Sequence, residues 1–125
     1  MRLVNGNNER QGRLEVCFNE AWGTVCDDFW GTTDAQVVCY QLGYARQGFY
    51  PTILKITVVL TQSSVLFSGA IARSFAYFGQ GDGQIQIDNV MCTGTETRLQ
   101  DCPLLRTHNC AHSEDAGVEC ISKSA

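Results

Sequence analysis

The sequence predicts one α+β domain, built from short antiparallel strands, a single clear helix and long loops tied down by disulfides. Its length of 125 residues is that of one domain, and its apolar fraction of 44% is sufficient for a core. Its seven cysteines indicate a disulfide framework. Between Trp22 and Tyr44 the apolar pattern changes from that of a strand to that of a helix. We therefore expect residues 1–125 to fold as a single domain.

Short runs of alternating or β-branched apolar residues predict strands at 2–4, 12–18, 21–26, 84–88 and 118–120. In the second of these runs, Leu14 and Val16 share the predicted inner face. The alternate residues, which include Glu15 and Cys17, are predicted to face outward. A tight turn at residues 19–20 then joins the second and third strands as a hairpin.

A helical pattern extends from about residue 33 to residue 42. Its apolar face carries three residues at helical spacing: Val38, Cys39 and Leu42. Two residues qualify as its N-cap: Thr32 and Thr33. Asp34 lies in the first turn, where the helix dipole favours a negative charge, and Gly43 is a suitable stop. A second, short helix is predicted at 95–100.

The segment 49–69 differs in composition from the rest of the chain. It contains no acidic residue, one lysine and many large apolar residues. Its longest aliphatic run, residues 58–60, is far shorter than the ~20 residues that a membrane-spanning helix needs. Its β-branched content predicts a strand, a hairpin or an aggregation-prone loop. We therefore expect no membrane span in this chain.

The charge of the chain excludes one class of partner. The net charge is −4, and the nine lysines and arginines are scattered rather than clustered. Nucleic acid recognition needs a basic stripe, so we do not expect it here. The opening residues MRLVNG lack the apolar core of a signal peptide. We expect the chain to be a module of a longer secreted or membrane-anchored protein.

The cysteines favour an oxidising, extracellular setting. They stand at positions 17, 26, 39, 92, 102, 110 and 120. None forms a C-x-x-C pair, which argues against a zinc ribbon or a thioredoxin-type site. Because the number is odd, one thiol remains. Three pairs drawn from seven cysteines allow about a hundred schemes, so spacing alone leaves the pairing open.

Several segments together resemble the scavenger receptor cysteine-rich domain. They are RLVNG (2–6), GRLEV (12–16), WGTVCDD (22–28), DAQVVCYQLGY (34–44), FGQGDGQI (78–85), DNVMCTGTE (88–96), DC (101–102) and HNCAHSEDAGVEC (108–120). Their order along the chain is also that of the family. The resemblance implies a curved antiparallel sheet cradling the helix. It also implies the disulfides Cys26–Cys110, Cys39–Cys120 and Cys92–Cys102.

The chain differs from the family pattern in two respects: its cysteine pattern and the segment 49–69. Gln11 and Tyr44 stand where the eight-cysteine branch has cysteines, so the resemblance is to the six-cysteine branch. Cys17 then has no partner, and we expect a free outward thiol through which the domain could dimerise. Joining Gly48 to Ala70 would give a loop of ordinary length, so residues 49–69 are interpreted as an insertion.

Three carboxylates form the main candidate metal site. Asp27 and Asp28 directly follow Cys26, and Glu114 lies shortly after Cys110, so a Cys26–Cys110 disulfide would bring them together. Oxygen-only ligands suit Ca²⁺ or Mg²⁺. The resemblance implies a Ca²⁺ site used in binding polyanionic or protein ligands. The alternative interpretation is structural: Asp27 caps a turn and Glu114 pairs with an arginine.

A second acidic group, Asp88, Asn89 and Glu96, flanks Cys92 and resembles a second cation site of some family members. Asp34 is a further candidate for this group. The structural alternative is an Asx turn together with an acidic residue at a helix start, which would account for the same residues without a metal.

Neither catalysis nor zinc binding is expected. Four residues have the composition of a hydrolytic site: His108, His112, Ser113 and Asp115. They all lie within a few residues of one another, and no oxyanion-hole element accompanies them. A zinc site built from Cys102, Cys110 and the two histidines would compete with the implied disulfides.

We therefore interpret the chain as a non-catalytic extracellular recognition module. Bound Ca²⁺ would turn its acidic cluster into an acceptor for polyanionic, protein or microbial-surface ligands, in keeping with a receptor of innate immunity. Arg98 and Arg106 are the candidate ligand-binding arginines. The alternative is a structural spacer module, without a ligand of its own, in a multidomain protein.

Overall fold

The structure, a computed structural model, describes residues 1–45, 47–49 and 66–121. Its strands are β1 (Arg2–Asn5), β2 (Gln11–Phe18), β3 (Ala21–Val25), β4 (Gln47–Phe49), β5 (Leu66–Ser68), β6 (Ala70–Arg73), β7 (Gln84–Ile87) and β8 (Gly117–Cys120). The helix α1 spans Thr32–Gln41, and two 3₁₀ turns span Leu99–Asp101 and His112–Glu114. The predicted α+β class is confirmed.

Most of the strands form one sheet with the order β6-β8-β2-β3-β7, and β1 pairs with β2 beside this path. All of its pairs are antiparallel except β3–β7, which is parallel. The parallel pair was not predicted. It arises because β7 follows the helix and a long connection rather than a hairpin turn, and can therefore return in the same direction as β3.

The hairpin turn between β2 and β3 forms as predicted. Asn19 and Glu20 have φ values of 52° and 66°, so both occupy the left-handed region. Two such residues in a row make the turn type whose twist matches that of the flanking strands. The register that follows pairs Phe18 with Ala21 and Cys17 with Trp22.

The N-terminus of α1 differs from the prediction, whereas its C-terminus agrees with it. The N-cap is Gly31, not a threonine, and its backbone N–H donates to Oδ2 of Asp34 at 2.9 Å. The acidic side chain in the first turn thus satisfies a free N–H group that a threonine cap would otherwise satisfy. Gly43, with φ of 97°, ends the helix as expected.

The predicted helix at 95–100 is replaced by the 3₁₀ turn at Leu99–Asp101. Residues 93–96 instead form an irregular loop, in which the carboxylate of Glu96 accepts hydrogen bonds from the N–H groups of Thr93 and Gly94. This local bonding competes with a helical start at residue 95.

The core lies between the sheet and the helix, which packs on β6 and β8. Its buried aliphatic side chains are Leu14, Val16, Val25, Val37, Val38, Ile87, Val90, Leu99 and Val118. Each fully buried side chain of this size contributes about 1.5–3 kcal/mol of transfer free energy. Trp30 is also buried, and its indole N–H donates to the carbonyl of Gly117 at 3.0 Å.

One outward-facing residue of β2 is buried, contrary to the prediction. Glu15 is covered by two arginines, with Arg2 at 2.8 Å and Arg13 at 3.2 Å from its carboxylate. A buried carboxylate requires such partners. Cys17, two residues further along the strand, is exposed as predicted.

The disulfides in the structure are those that the family resemblance implies: Cys26–Cys110, Cys39–Cys120 and Cys92–Cys102. The second joins the buried face of α1 to β8, so it ties the helix to the sheet within the core. Cys17 is the free cysteine.

The ends of the segment 49–69 belong to a separate two-stranded ladder. Strands β4 and β5 pair antiparallel, with Gly48 opposite Phe67 and Phe49 opposite Leu66. Residues 50–65, on which most of the predictions for this segment fall, lie outside the described residues. Within the described part of the chain, no helix is both long and apolar enough to span a membrane.

Candidate cation-binding site

The site lies where two loops meet at the end of β3. The Cys26–Cys110 disulfide and a β-bridge between Cys26 and Asp115 hold the loop of residues 108–115 against the residues that follow β3. The backbone N–H of Asp27 donates to the carbonyl of Glu114 at 2.8 Å. The acidic residues of the two loops are therefore placed by backbone bonding and by a covalent link.

Asp28 and Glu114 come closest to a metal-binding geometry. One carboxylate oxygen from each and the sulfurs of Cys26 and Cys110 all lie within 4.8 Å of one another. Because the two sulfurs form a disulfide, they are not thiolate ligands. The oxygens of Asp28 and Glu114 are then the ligand atoms that this cluster offers, and they suit a hard cation.

Asp27 lies beside this cluster in sequence, but its carboxylate is not among the grouped ligand atoms and instead supports the framework of the site. Its Oδ2 accepts a hydrogen bond of 2.7 Å from the backbone N–H of Phe75, which fixes the loop that follows β6. Burial raises the pKa of Asp27, and the neighbouring charges of Glu114 and Asp28 raise it further, against the lowering effect of the Phe75 hydrogen bond. A cation beside Asp27 would relieve this repulsion.

Glu114 also has a structural contact. Its Oε2 accepts a 2.8 Å hydrogen bond from the backbone N–H of Ala111, which closes the 3₁₀ turn at His112–Glu114. Among the described residues, no salt bridge joins Glu114 to an arginine, so the proposed arginine pairing is not found there.

The second predicted acidic group is divided in the structure. Asp88 and Asn89 line the same groove as Asp28. Burial raises the pKa of Asp88, and the charge of Asp28 adds to the effect. Glu96 instead groups with the Cys92–Cys102 disulfide. Its hydrogen bonds from Thr93 and Gly94 lower its pKa to about 2.

Asp34 does not offer a free carboxylate to either group. Its Oδ2 accepts from Gly31, and its Oδ1 accepts from the backbone N–H of Cys92 at 2.8 Å. The side chain thus joins the start of α1 to the loop of the third disulfide. The structural interpretation holds for this residue.

The two candidate arginines are in different situations. Arg106 donates to the backbone and side-chain oxygens of Gln86 at 3.0 and 3.1 Å, and its guanidinium lies over the ring of Phe18. Arg106 and His108 line one groove, and His108 also lines the groove that contains Asp28. Arg98 forms an exposed ion pair with Asp101 at 2.9 Å.

The residues with a hydrolytic composition form a structural network. The two ring nitrogens of His112 contact the Asp115 carboxylate and the carbonyl of Gly83, each at 3.0 Å. Burial lowers the pKa of His112, but these two acceptors outweigh it and the pKa is raised overall. Asp115 is buried and also accepts from the N–H of Gly81 at 2.7 Å. Cys102 and Cys110 are in disulfides and cannot bind zinc as thiolates, so they do not form the alternative zinc site with the two histidines.

Two features of the site could not have been found from the sequence. The groove that Asp28 and Asp88 share brings together residues sixty positions apart along the chain. The hydrogen bond from Phe75 to Asp27 uses a backbone N–H, which carries no residue-type signal. Both depend on the path of the chain rather than on a motif.

The fold and the site define a class of protein: a disulfide-stapled, non-catalytic recognition module with an acidic cluster on its surface loops. The chain belongs to the scavenger receptor cysteine-rich family, because the model of the Scavenger receptor cysteine-rich domain matches residues 4–121. Domains of this family are extracellular modules for ligand recognition, and the three disulfides agree with its six-cysteine branch.

Two curated relatives match almost the whole chain. A scavenger receptor cysteine-rich domain superfamily protein of Patiria pectinifera is 46% identical over 125 residues, covering 98% of this chain and 9% of the relative. Galectin-3-binding protein of Pongo abelii is 42% identical over 126 aligned residues, covering 99% of this chain and 18% of the relative. The chain thus spans less than a fifth of the length of either relative.

Two solved structures share the fold. The third scavenger receptor cysteine-rich domain of murine neurotrypsin superposes with a TM-score of 0.71 at 45% identity, covering 95% of this chain and 92% of that chain. The corresponding domain of mouse MARCO, solved in a dimeric form, gives a TM-score of 0.66 at 41% identity. It covers 96% of this chain and 93% of its own.

Proposed function

We propose that this domain binds polyanionic or protein ligands, including those of microbial surfaces, through Ca²⁺ held by Asp27, Asp28 and Glu114. The observation that carries the proposal is the convergence of oxygens from Asp28 and Glu114 within 4.8 Å. Oxygens on one Ca²⁺ ion lie about 2.3–2.6 Å from it, so two of them are at most about 5 Å apart. The spacing in the structure fits this limit.

The affinity for Ca²⁺ is expected to be low. Few protein carboxylates reach the ion, so water completes its coordination, and an anionic group of a ligand can replace that water. The bound cation makes the site an anion acceptor, although the chain carries a net charge of −4. Arg106, held in its groove by Gln86, would contact an extended ligand beyond the cation. Arg98 would assist only after leaving Asp101.

The relatives support a recognition role. Galectin-3-binding protein carries a binding function in its name, and this chain matches a part of it. This favours a module with its own ligand over the spacer alternative. The dimeric form of the mouse MARCO domain supports a further proposal, that two copies of this chain associate. We place the link at Cys17 because its thiol is free and exposed.

A calcium titration of thermal unfolding tests the site. If Ca²⁺ binds only the folded state, it stabilises by about 2.7 kcal/mol when its free concentration is about 100 times Kd. Asp28→Asn and Glu114→Gln should abolish this increase, whereas Asp82→Asn, at an exposed acid outside the cluster, should retain it. Persistence of the full increase in both site variants would overturn the proposed ligands.

Binding to immobilised dextran sulfate tests the ligand class. Wild-type protein should be retained in Ca²⁺ and released by a chelator, and the site variants should not be retained. Retention that is unchanged by the chelator would show that the cation does not mediate binding.

A further inference from the structure

Three exposed apolar side chains belong to segments that adjoin the acidic residues. Phe75 is 81% exposed and Phe29 is 70% exposed, the two highest values among the large apolar side chains of the described residues. Leu105 is 47% exposed. Such side chains add nothing to the core, because they remain in contact with water.

Neighbouring contacts connect these three residues to the acidic residues. Phe29 directly follows Asp28, and Phe29 and Leu105 line the same groove as Asp28 and Asp88. The backbone N–H of Phe75 is bonded to the carboxylate of Asp27. Phe29 and Leu105 therefore share a surface groove with Asp28 and Asp88, and the loop that carries Phe75 is bonded to the adjacent Asp27.

A soluble polyanion would use only part of this surface. It offers anionic groups to a bound cation, but it has no apolar layer for two phenylalanine rings. An anionic phospholipid bilayer offers both: phosphate and carboxylate headgroups at its surface, and acyl chains directly below them. Its headgroup boundary is also where amphipathic and aromatic side chains are accommodated.

We propose that this surface docks on anionic phospholipid membranes in the presence of Ca²⁺. The proposal rests on the calcium site proposed above. The cation held by the carboxylates bridges to lipid headgroups, and Phe29 and Phe75 insert at the headgroup boundary, with Leu105 beside them. Without the cation, a domain of net charge −4 with its carboxylates facing the lipid is repelled by the negative surface. Docking is therefore cation-dependent.

Cosedimentation with vesicles tests the proposal. Wild-type protein should bind vesicles of phosphatidylcholine and phosphatidylserine in Ca²⁺, but not in a chelator and not when the vesicles contain phosphatidylcholine alone. Phe29→Asn and Phe75→Asn should each weaken binding about tenfold or more, since each removes a large apolar side chain from the contact. Asparagine tolerates the left-handed backbone of these two positions, where φ is 64° and 57°.

Matched controls separate the outcomes. Ile71→Thr changes another exposed apolar residue, on β6, and should leave vesicle binding unchanged. Both phenylalanine variants should keep the calcium-dependent rise in thermal midpoint and the retention on dextran sulfate. If wild-type protein shows that rise but does not bind the vesicles, membrane docking is refuted and the calcium site stands. The exposed phenylalanine rings would then be expected to contact a protein partner. If the rise itself is absent, the proposed function fails first. Vesicle binding that is undiminished in both phenylalanine variants would also refute the proposal.

Discussion

Replacing Asp34 with alanine would remove the side chain that joins the start of α1 to the loop of the third disulfide. Asp34 is buried, and its two oxygens accept backbone N–H groups from Gly31 at 2.9 Å and from Cys92 at 2.8 Å. Alanine offers no acceptor at this position. Both N–H groups would lose their partner, one at the end of the helix and one next to a disulfide.

The magnitude follows from two opposing effects. A hydrogen bond to a charged group contributes about 1.5–3 kcal/mol, so two such bonds give at most about 6 kcal/mol. Burial raises the pKa of Asp34, which means that desolvation of its charge offsets part of this gain. We expect Asp34→Ala to lower the free energy of unfolding by about 2–3 kcal/mol. For a domain of this size, that corresponds to a fall in Tm of roughly 6–12 °C.

Denaturant and thermal unfolding of the oxidised protein measure this change. The matched control is Asp101→Ala, which removes an exposed aspartate from a 3₁₀ turn and breaks only its surface ion pair with Arg98. Its effect on the free energy of unfolding should be much smaller than that of Asp34→Ala, because exposed ion pairs contribute little to stability. If Asp34→Ala is as mild as this control, Asp34 is not the link between the helix and the loop.

Three further predictions concern the pH response and the cysteines. The pKa of Glu96 is lowered to about 2 from 4.5 in the folded protein. Its contribution to the free energy of unfolding should therefore be present above pH 4.5 and lost as the pH falls towards 2. Glu96→Gln should lower the free energy of unfolding by about 1 kcal/mol at neutral pH, after allowance for solvent exposure. This difference from wild type should shrink in acid, and a constant difference would contradict the prediction. The Cys26–Cys110 and Cys39–Cys120 loops have similar separations of 84 and 81 residues, against 10 for Cys92–Cys102. Alanine pairs should accordingly cost about 4–5 kcal/mol for each long loop and about 2.5–3 kcal/mol for the short one in urea unfolding, and the reverse order would show that loop entropy does not dominate. Cys17 should react with a thiol reagent in the native state and allow a disulfide-linked dimer on oxidation; both results should vanish in Cys17→Ser, and a wild-type protein without a titratable thiol would rule out this assignment.

The sequence by itself determined the elements whose signals are local. The turn at Asn19 and Glu20 and the helix stop at Gly43 depend on the backbone preferences of one or two residues, and both form as predicted. The alternation of Leu14 and Val16 located the core face of β2. The cysteine number and the absence of C-x-x-C pairs pointed to disulfides, although only the family resemblance selected the pairs.

The candidate site was predicted in part. The adjacency of Asp27 and Asp28 can be read directly, and Glu114 joined them because the implied Cys26–Cys110 disulfide connects their loops. The grouping of Asp88 with Glu96 was inferred from their proximity to Cys92 in sequence and from the resemblance to a second cation site of some family members. In the structure, Asp88 lies with Asp28 instead, because the strand that precedes it runs beside β3.

Only the tertiary structure decided the features that depend on distant partners. Glu15 is buried because Arg2 on the neighbouring strand pairs with it, and Gly31 caps the helix because Asp34 reaches back to it. The parallel direction of β7 depends on the whole connection that precedes it. The physical reason is one of range: backbone propensity acts over a few residues, whereas the burial and pairing of a charged group depend on which segments the folded chain brings into contact.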